Sequence, residues 1–209
     1  AEVTQTFDEH NNAGGAALTP ATLAGVDVAI EFSTPEACIG NIERLAAAGT
    51  NTVVGTTGWT SELDRARTIV DSSDIGLVWS PNFSIGVNVF DRIVRETSAL
   101  LERQTEYGAW AWEIHHDMKK DAPSGTLLKL VESMKAAGYS RNIDVSSSRA
   151  GRVPGTHEIG FDSEADTITL RHTARSREGF ARGALMAAKW LYGRRGFYHF
   201  SEVLFGNNA

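Results

Sequence analysis

The residues best suited to chemistry lie in one run, Glu113-Ile-His-His-Asp-Met-Lys-Lys-Asp-Ala-Pro-Ser-Gly-Thr126. His115, His116, Lys119 and Lys120 stand there among acids, beside a turn that opens a helix. Pro123 biases Ala122 toward extended backbone, because the ring clashes with a helical residue before it. Ser124, Gly125 and Thr126 then suit a helix entry, with Ser124 or Thr126 as the cap. Leu127, Leu130, Val131 and Met134 follow at helical spacing, and Gly138 after Lys135 marks the stop. The histidines and Lys119 therefore sit next to free backbone N–H groups at a helix N-terminus, a place for an anion such as a carboxylate. Histidine and lysine can also each give a proton where burial and neighbours bring the pKa near the working pH. Asp121 reads as structural, orienting Lys119 or capping the turn. A metal site made of His115, His116 and Asp117 is the competing reading, but adjacent histidines on a strand point to opposite faces.

The elements that must carry this run can be read outward from it. Residues 107–116 alternate small and large (Ala109, Trp110, Ala111, Trp112), the pattern of a strand, and 124–137 the helix after the turn. Further strands are expected at 143–147, 156–161 and 167–173, and a last long helix at 178–192. Upstream the texture differs. Residues 2–7 read as a strand ending at Asp8, and Thr19-Pro20 as the opening of a short helix. Compact apolar strands at 26–32, 52–54 and 75–79 alternate with helices from Thr34-Pro35 to Gly49 and over 61–70. A further helix follows Asn88 and runs to about Glu102. Such alternation predicts a doubly wound parallel α/β sheet, followed by an α+β part with a mostly antiparallel or mixed sheet. Ligands bind doubly wound sheets at the carboxyl ends of the strands. Here those ends carry Ser33-Thr34, Thr56-Thr57 and Ser80-Pro81-Asn82.

With 209 residues the chain can bury a sizeable core as one large domain or two small ones. A net charge of −6, with no basic run longer than two residues, argues against a nucleic-acid surface. The single cysteine, Cys38, excludes an internal disulfide and reads as a small core residue. No apolar stretch approaches the roughly 18 residues of a membrane span, and no signal peptide is visible. A cytoplasmic enzyme is the expectation.

The run of His, His and Lys with Asp-Ala-Pro-Ser-Gly-Thr resembles the signature of the dihydrodipicolinate reductase family. Phe32-Ser-Thr-Pro35, Gly55-Thr-Thr-Gly58, Pro81-Asn-Phe-Ser-Ile-Gly-Val-Asn88, Ser176-Arg177, Phe180-Ala-Arg-Gly-Ala184 and Trp190-Leu191 match family segments in the same order. The resemblance implies NAD(P)H-dependent reduction of a dihydrodipicolinate-type dicarboxylate on the diaminopimelate route to lysine. It implies His115 as catalytic histidine and Lys119 as proton donor, with His116, Gly125 and Thr126 holding a substrate carboxylate. Gly55, Thr56, Thr57, Ser80, Pro81, Asn82 and Phe83 correspond to the loops that touch the nicotinamide half of the cofactor. It also implies a Rossmann-like nucleotide-binding domain of residues 1–83 and 175–209, a substrate-binding and tetramerisation domain of 84–174, and a homotetramer. Asp8, placed at a strand end with no arginine among the next four residues, is expected to meet the adenosine ribose, so that NADH serves at least as well as NADPH. The family pattern begins with a further strand and a G-x-x-G-x-x-G phosphate loop that these residues lack. A trimmed or processed chain, with its sheet left in two halves, is the expectation. An inactive relative that keeps only a binding or structural function is the alternative.

Overall fold

Short apolar strands alternate with amphipathic helices along the first part of the chain: β1 (Val28–Glu31), α1 (Pro35–Ala47), β2 (Asn51–Val54), α2 (Leu63–Asp71) and β3 (Gly76–Trp79). This computed structural model describes residues 1–206. Ala1–Ser84 and the chain from Phe180 onward make one compact unit, and Ile85–Gly179 make the other.

In the first unit the strand order is β1-β2-β3-β8, with β8 at Gly196–His199 and every neighbouring pair parallel. Strands covered on both faces must be apolar along their length, and Val53, Val54, Leu77 and Val78 are fully buried. Cys38, Ile42 and Ala46 of α1 pack with Ala66 and Val70 of α2 against Val54 and Leu77. Burying a side chain such as Ile42 contributes about 1.5–3 kcal/mol. Helix α5 (Glu178–Leu191) buries Gly183, Ala184, Ala187 and Leu191. Gly183 is required by contact, since a Cβ there would lie 1.7 Å from the Phe83 carbonyl oxygen.

The second unit contains α3 (Ile85–Leu101), β4 (Gly108–His115), α4 (Gly125–Ala136), β5 (Ile143–Arg149), β6 (Thr156–Asp162) and β7 (Thr167–Thr173). Its sheet runs β5-β4-β6-β7; β4 and β5 are parallel and the other two pairs antiparallel, so the sheet is mixed. Leu127, Leu130 and Met134 of α4 and Phe90 and Val94 of α3 pack on Ala111, Ile159 and Phe161. The expected Rossmann-like parallel sheet and mixed α+β sheet are both present. No helix among the described residues is long and apolar enough to cross a membrane.

Several sequence expectations are corrected. Residues 2–7 form no strand and are largely exposed; alternation alone does not make a strand without a ladder partner for its backbone. The four strands of the first sheet are contiguous, with β1 at one edge, so the sheet is not left in two halves. Thr19-Pro20 opens turns, not a helix. The Thr22 backbone N–H donates to the Thr19 hydroxyl and the Thr19 N–H to the Thr22 hydroxyl, local bonds that compete with helix formation. Helix α3 starts at Ile85 and not after Asn88. Strand β8 and the short helix α6 (Phe200–Phe205) were not foreseen; His199 and Glu202 form a capping box between them.

Candidate functional site

Strand β4 sorts its side chains by the two-residue pleat. Trp110, Trp112 and Ile114 take one face, while Ala111, Glu113 and His115 take the other and are buried. The inner face is thus apolar where it meets the helices and polar where the strand ends. Register then brings three more polar residues alongside: Ser147 and His157 pair with Glu113, and Arg149 pairs with His115.

Glu113 is the centre of this group and is fully buried. Its Oε1 accepts from the Ser124 backbone N–H at 2.8 Å, the Ser147 hydroxyl at 3.0 Å and the Arg149 guanidinium at 2.9 Å. Its Oε2 lies 3.3 Å from His115 Nδ1 and 3.5 Å from His157 Nε2. Burial alone would push the Glu113 carboxyl up; the bonds from Ser124, Arg149 and Ser147 outweigh it and hold the group below its ordinary value. Burial lowers the pKa of His115; Glu113 opposes this, while Lys119 and Arg149 add to it. Burial and the neighbouring His115 push His157 down to about 4. Both imidazoles are therefore neutral at neutral pH.

Lys119 is oriented from its own loop: its Nζ donates to Asp121 Oδ1 at 2.6 Å. That bond also depresses the Asp121 carboxyl. Arg149 donates a second bond to the Asp121 carbonyl, at 2.5 Å, tying β5 to the same loop. Helix α4 begins at Gly125, with Ser124 as cap: the Ser124 hydroxyl accepts the Leu127 N–H. Gly125 is exposed and Thr126 half-buried, and nothing lies within 4 Å of where a Gly125 Cβ would stand. His115, Lys119, Gly125 and Thr126 thus all belong to the β4-to-α4 corner. His116 does not join the buried group; with Asp117, Met118, Gly151 and Arg152 it lines an open cleft.

Sequence reasoning did not single out His157, Arg149 or Ser147, which arrive from β5 and β6 through pairing. The side-chain donors of Glu113, His115 and His157 lie within 4.8 Å of one another. This is a different set from His115, His116 and Asp117, and the Arg149 guanidinium on Glu113 opposes a cation there.

In the first unit, Gly55, Thr56 and Thr57 follow β2, and Ser80, Pro81, Asn82 and Phe83 follow β3. Both loops lie at carboxyl ends of adjacent parallel strands, where open sheets take their ligands. Thr56 is already committed: its hydroxyl donates to Glu31 at 2.6 Å and its carbonyl accepts from Trp59 Nε1 at 2.8 Å. Phe83 is a core residue against Phe200, with ring centroids 4.7 Å apart. The Ser80 hydroxyl donates to the Asn82 carbonyl at 2.8 Å, bracing the second loop. Thr57 and Pro81 are exposed, so these braced loops present side chains and preset backbone that fit a nicotinamide nucleotide. Asp8 sits in a turn and not at a strand end; its Oδ1 accepts from the His10 and Asn11 N–H groups at 2.9 and 3.2 Å.

Family models described as "Dihydrodipicolinate reductase, N-terminus" and "Dihydrodipicolinate reductase, C-terminus" match residues 7–83 and 86–204. The chain belongs to the dihydrodipicolinate reductase family. It is 36% identical over 190 residues to a 4-hydroxy-tetrahydrodipicolinate reductase from Christiangramia forsetii, covering 86% of this chain and 80% of that one. Its identity to the enzyme of the same name from Archaeoglobus fulgidus is 38% over 198 residues, 85% of this chain and 76% of that one. Among solved structures, a dipicolinate-bound dihydrodipicolinate reductase from Paenisporosarcina sp. TG-14 shares the fold with a TM-score of 0.74 at 22% identity, over 86% of this chain and 73% of that one. The family is one of oxidoreductases that serve lysine biosynthesis, and this chain is one of them.

Proposed function

We propose that this protein reduces 4-hydroxy-tetrahydrodipicolinate or its dehydrated form to tetrahydrodipicolinate, with hydride from a nicotinamide nucleotide and a proton from the Lys119 and His115 corner. The observation that carries the reading is the position of Lys119 and Arg149 beside the open N-terminal turn of α4, around a buried carboxylate–histidine pair. A dicarboxylate brings two negative charges, which the Lys119 ammonium, the backbone N–H groups at Gly125 and Thr126, and His116 would hold. The relative from Paenisporosarcina sp. TG-14 has dipicolinate bound, a planar dicarboxylate of the same size class.

When bound, a nicotinamide nucleotide supplies the hydride; Gly55, Thr57, Pro81 and the backbone of the Ser80–Phe83 loop would hold its nicotinamide half. Ala1–Phe83 with the chain from Arg175 onward would be the nucleotide-binding domain, and the chain between them the substrate domain; of the former, residues 207–209 lie outside the described residues. NADH is to serve at least as well as NADPH. The exposed Asp8 carboxylate would accept from free ribose hydroxyls and repel a 2′-phosphate, and residues 9–12 hold no arginine to neutralise one. A homotetramer assembled through the outer face of the mixed sheet would cover Trp110, Trp112 and Ile114, three half-buried side chains of β4.

The test is turnover of 4-hydroxy-tetrahydrodipicolinate by the purified chain, followed as loss of NADH and, separately, of NADPH. Oxidation of either cofactor that needs the substrate and is inhibited by dipicolinate supports the reading. Dipicolinate binding without turnover would make the protein a binding relative. A clear NADPH preference in kcat/KM would remove Asp8 from the site.

A further inference from the structure

Glu113 sits behind His115 with its two oxygens divided between different tasks. Oε1 takes three donors, from Ser124, Ser147 and Arg149, and has no capacity left. Oε2 and His115 Nδ1 are both buried without a hydrogen-bond partner, and they lie 3.3 Å apart. An orphan buried carboxylate oxygen is costly, so a proton donor should face it. Two nitrogens are in reach, His115 Nδ1 at 3.3 Å and His157 Nε2 at 3.5 Å. The second has a nearer partner in the Ser124 hydroxyl, at 3.2 Å. That hydroxyl accepts the Leu127 N–H and has its own hydrogen to give, with His157 Nε2 and the Glu113 carboxylate as its acceptors. The nitrogen nearer Oε2, and the one with no other partner, is Nδ1 of His115.

We propose that Glu113 is a positioning residue that fixes His115 as the Nδ1–H tautomer and so leaves its Nε2 bare, a hydrogen-bond acceptor in the site. His115 Nε2 lies on the side of Gly155, where a Cβ would stand 2.8 Å away, so the ring reaches this pose only over a glycine. A neutral imidazole with a bare Nε2 has no proton to give from that atom. Within the proposed reduction, on which this step rests, the proton then comes from Lys119: its N–H bond breaks, the proton passes to the reduced substrate, and the amine left behind is reprotonated from solvent. His115 orders the acceptor side of that transfer. The charged and titratable groups facing His115 are Glu113 on its own strand, Lys119 and Asp121 on the following loop, Arg149 on β5 and His157 on β6, with His172 on β7 beyond it. Among them Glu113 is the group in direct contact with Nδ1.

The test is the imidazole tautomer, read from proton–nitrogen correlation spectra of the uniformly labelled full chain, with His115→Gln used to assign the resonance. The parent should show His115 protonated on Nδ1. In Glu113→Gln the amide can still accept from Ser124, Ser147 and Arg149 but turns its NH2 toward His115, so the proton should move to Nε2. The acid limb of kcat/KM against pH should shift to lower pH, because a charge that favours imidazolium is gone, and kcat should fall roughly 10²-fold, with the dipicolinate Ki within about twofold. Glu113→Asp should restore the Nδ1–H tautomer in part. A parent His115 protonated on Nε2, or a tautomer and pH limb unmoved in Glu113→Gln, would overturn the proposal. The tautomer is readable even in a chain that turns nothing over, which separates this result from failure of the reductase reading.

Discussion

At the proposed anion site Lys119 and Gly125 would do opposite things, one by what it adds and the other by what it leaves out. Lys119 is held by Asp121 at 2.6 Å and is only 22% exposed, so its ammonium points one way and is not a freely solvated surface charge. Lys119→Ala should lower kcat by roughly 10²-fold or more, the scale of a lost general acid; a variant turning over like the parent removes Lys119 from proton delivery. Gly125 has open space where a side chain would begin and no left-handed backbone to strain. Gly125→Val should therefore fold with the parent's melting temperature yet bind dipicolinate at least ~10-fold more weakly, about 1.4 kcal/mol, because its methyls fill the space a carboxylate needs. Titration calorimetry with dipicolinate checks it, and equal affinity in both proteins would place the anion elsewhere. These residues were legible because their signal is local: His115, Lys119, Ser124 and Gly125 fall within one run. Glu113's other partners were not, since Arg149 lies 36 residues later and Ser147 34. No spacing rule links strands whose register is set by tertiary pairing.

At the scale of elements, the mixed sheet works as a two-faced plate. Its inner face puts the polar group at one end and apolar packing under α3 and α4 at the other. Its outer face is organised by an indole: a Cβ on Gly160 would fall 0.7 Å from a ring atom of Trp110, so the ring lies flat across the glycine of β6. Trp112 on the same face donates to the Ser148 hydroxyl at 3.1 Å. Gly160→Ala must lift the Trp110 ring off the sheet, a forced rearrangement worth about 1–3 kcal/mol. Urea unfolding should show that loss along with a changed tryptophan emission, while an unchanged midpoint would mean the ring moves aside freely. Alternation of small and large side chains announced β4 but not Gly160, because nothing within strand 156–161 says which neighbour covers it. The opposite failure occurred at 2–7. There the pattern alternates well, yet no described segment pairs with it as a ladder, and the Thr6 carbonyl accepts instead from the Asn11 side-chain amide at 2.9 Å.

For the whole molecule, the legible part was the alternation of buried strands and helices, since each parallel strand carries its own apolar run. The part that escaped depends on order in space: a contiguous sheet that ends at β1, and a late four-residue strand that joins it at β3. The same tertiary assembly creates a pH sensitivity that composition does not foretell. His157 is buried neutral, its pKa pushed from 6.5 to about 4. His115 and His172 are lowered in the same direction by burial. In the unfolded chain these imidazoles take protons near their ordinary value, so below about pH 6.5 the unfolded state binds more protons than the folded one, and stability falls with pH. For His157 the loss should accumulate between pH 6.5 and 4 and stop below, where the folded state is protonated too. Its size is about 3 kcal/mol, at roughly 1.4 kcal/mol per pH unit. Glu113, held below 4.5, loses stabilising charge only beneath that value, so it does not contribute to the upper part of the window. Urea midpoints taken from pH 7.5 to 4.5 at fixed ionic strength should decline steadily below 6.5, and His157→Gln should remove much of that slope. A parent whose stability is level across this range would show that His157 is hydrated and titrates like an ordinary surface histidine.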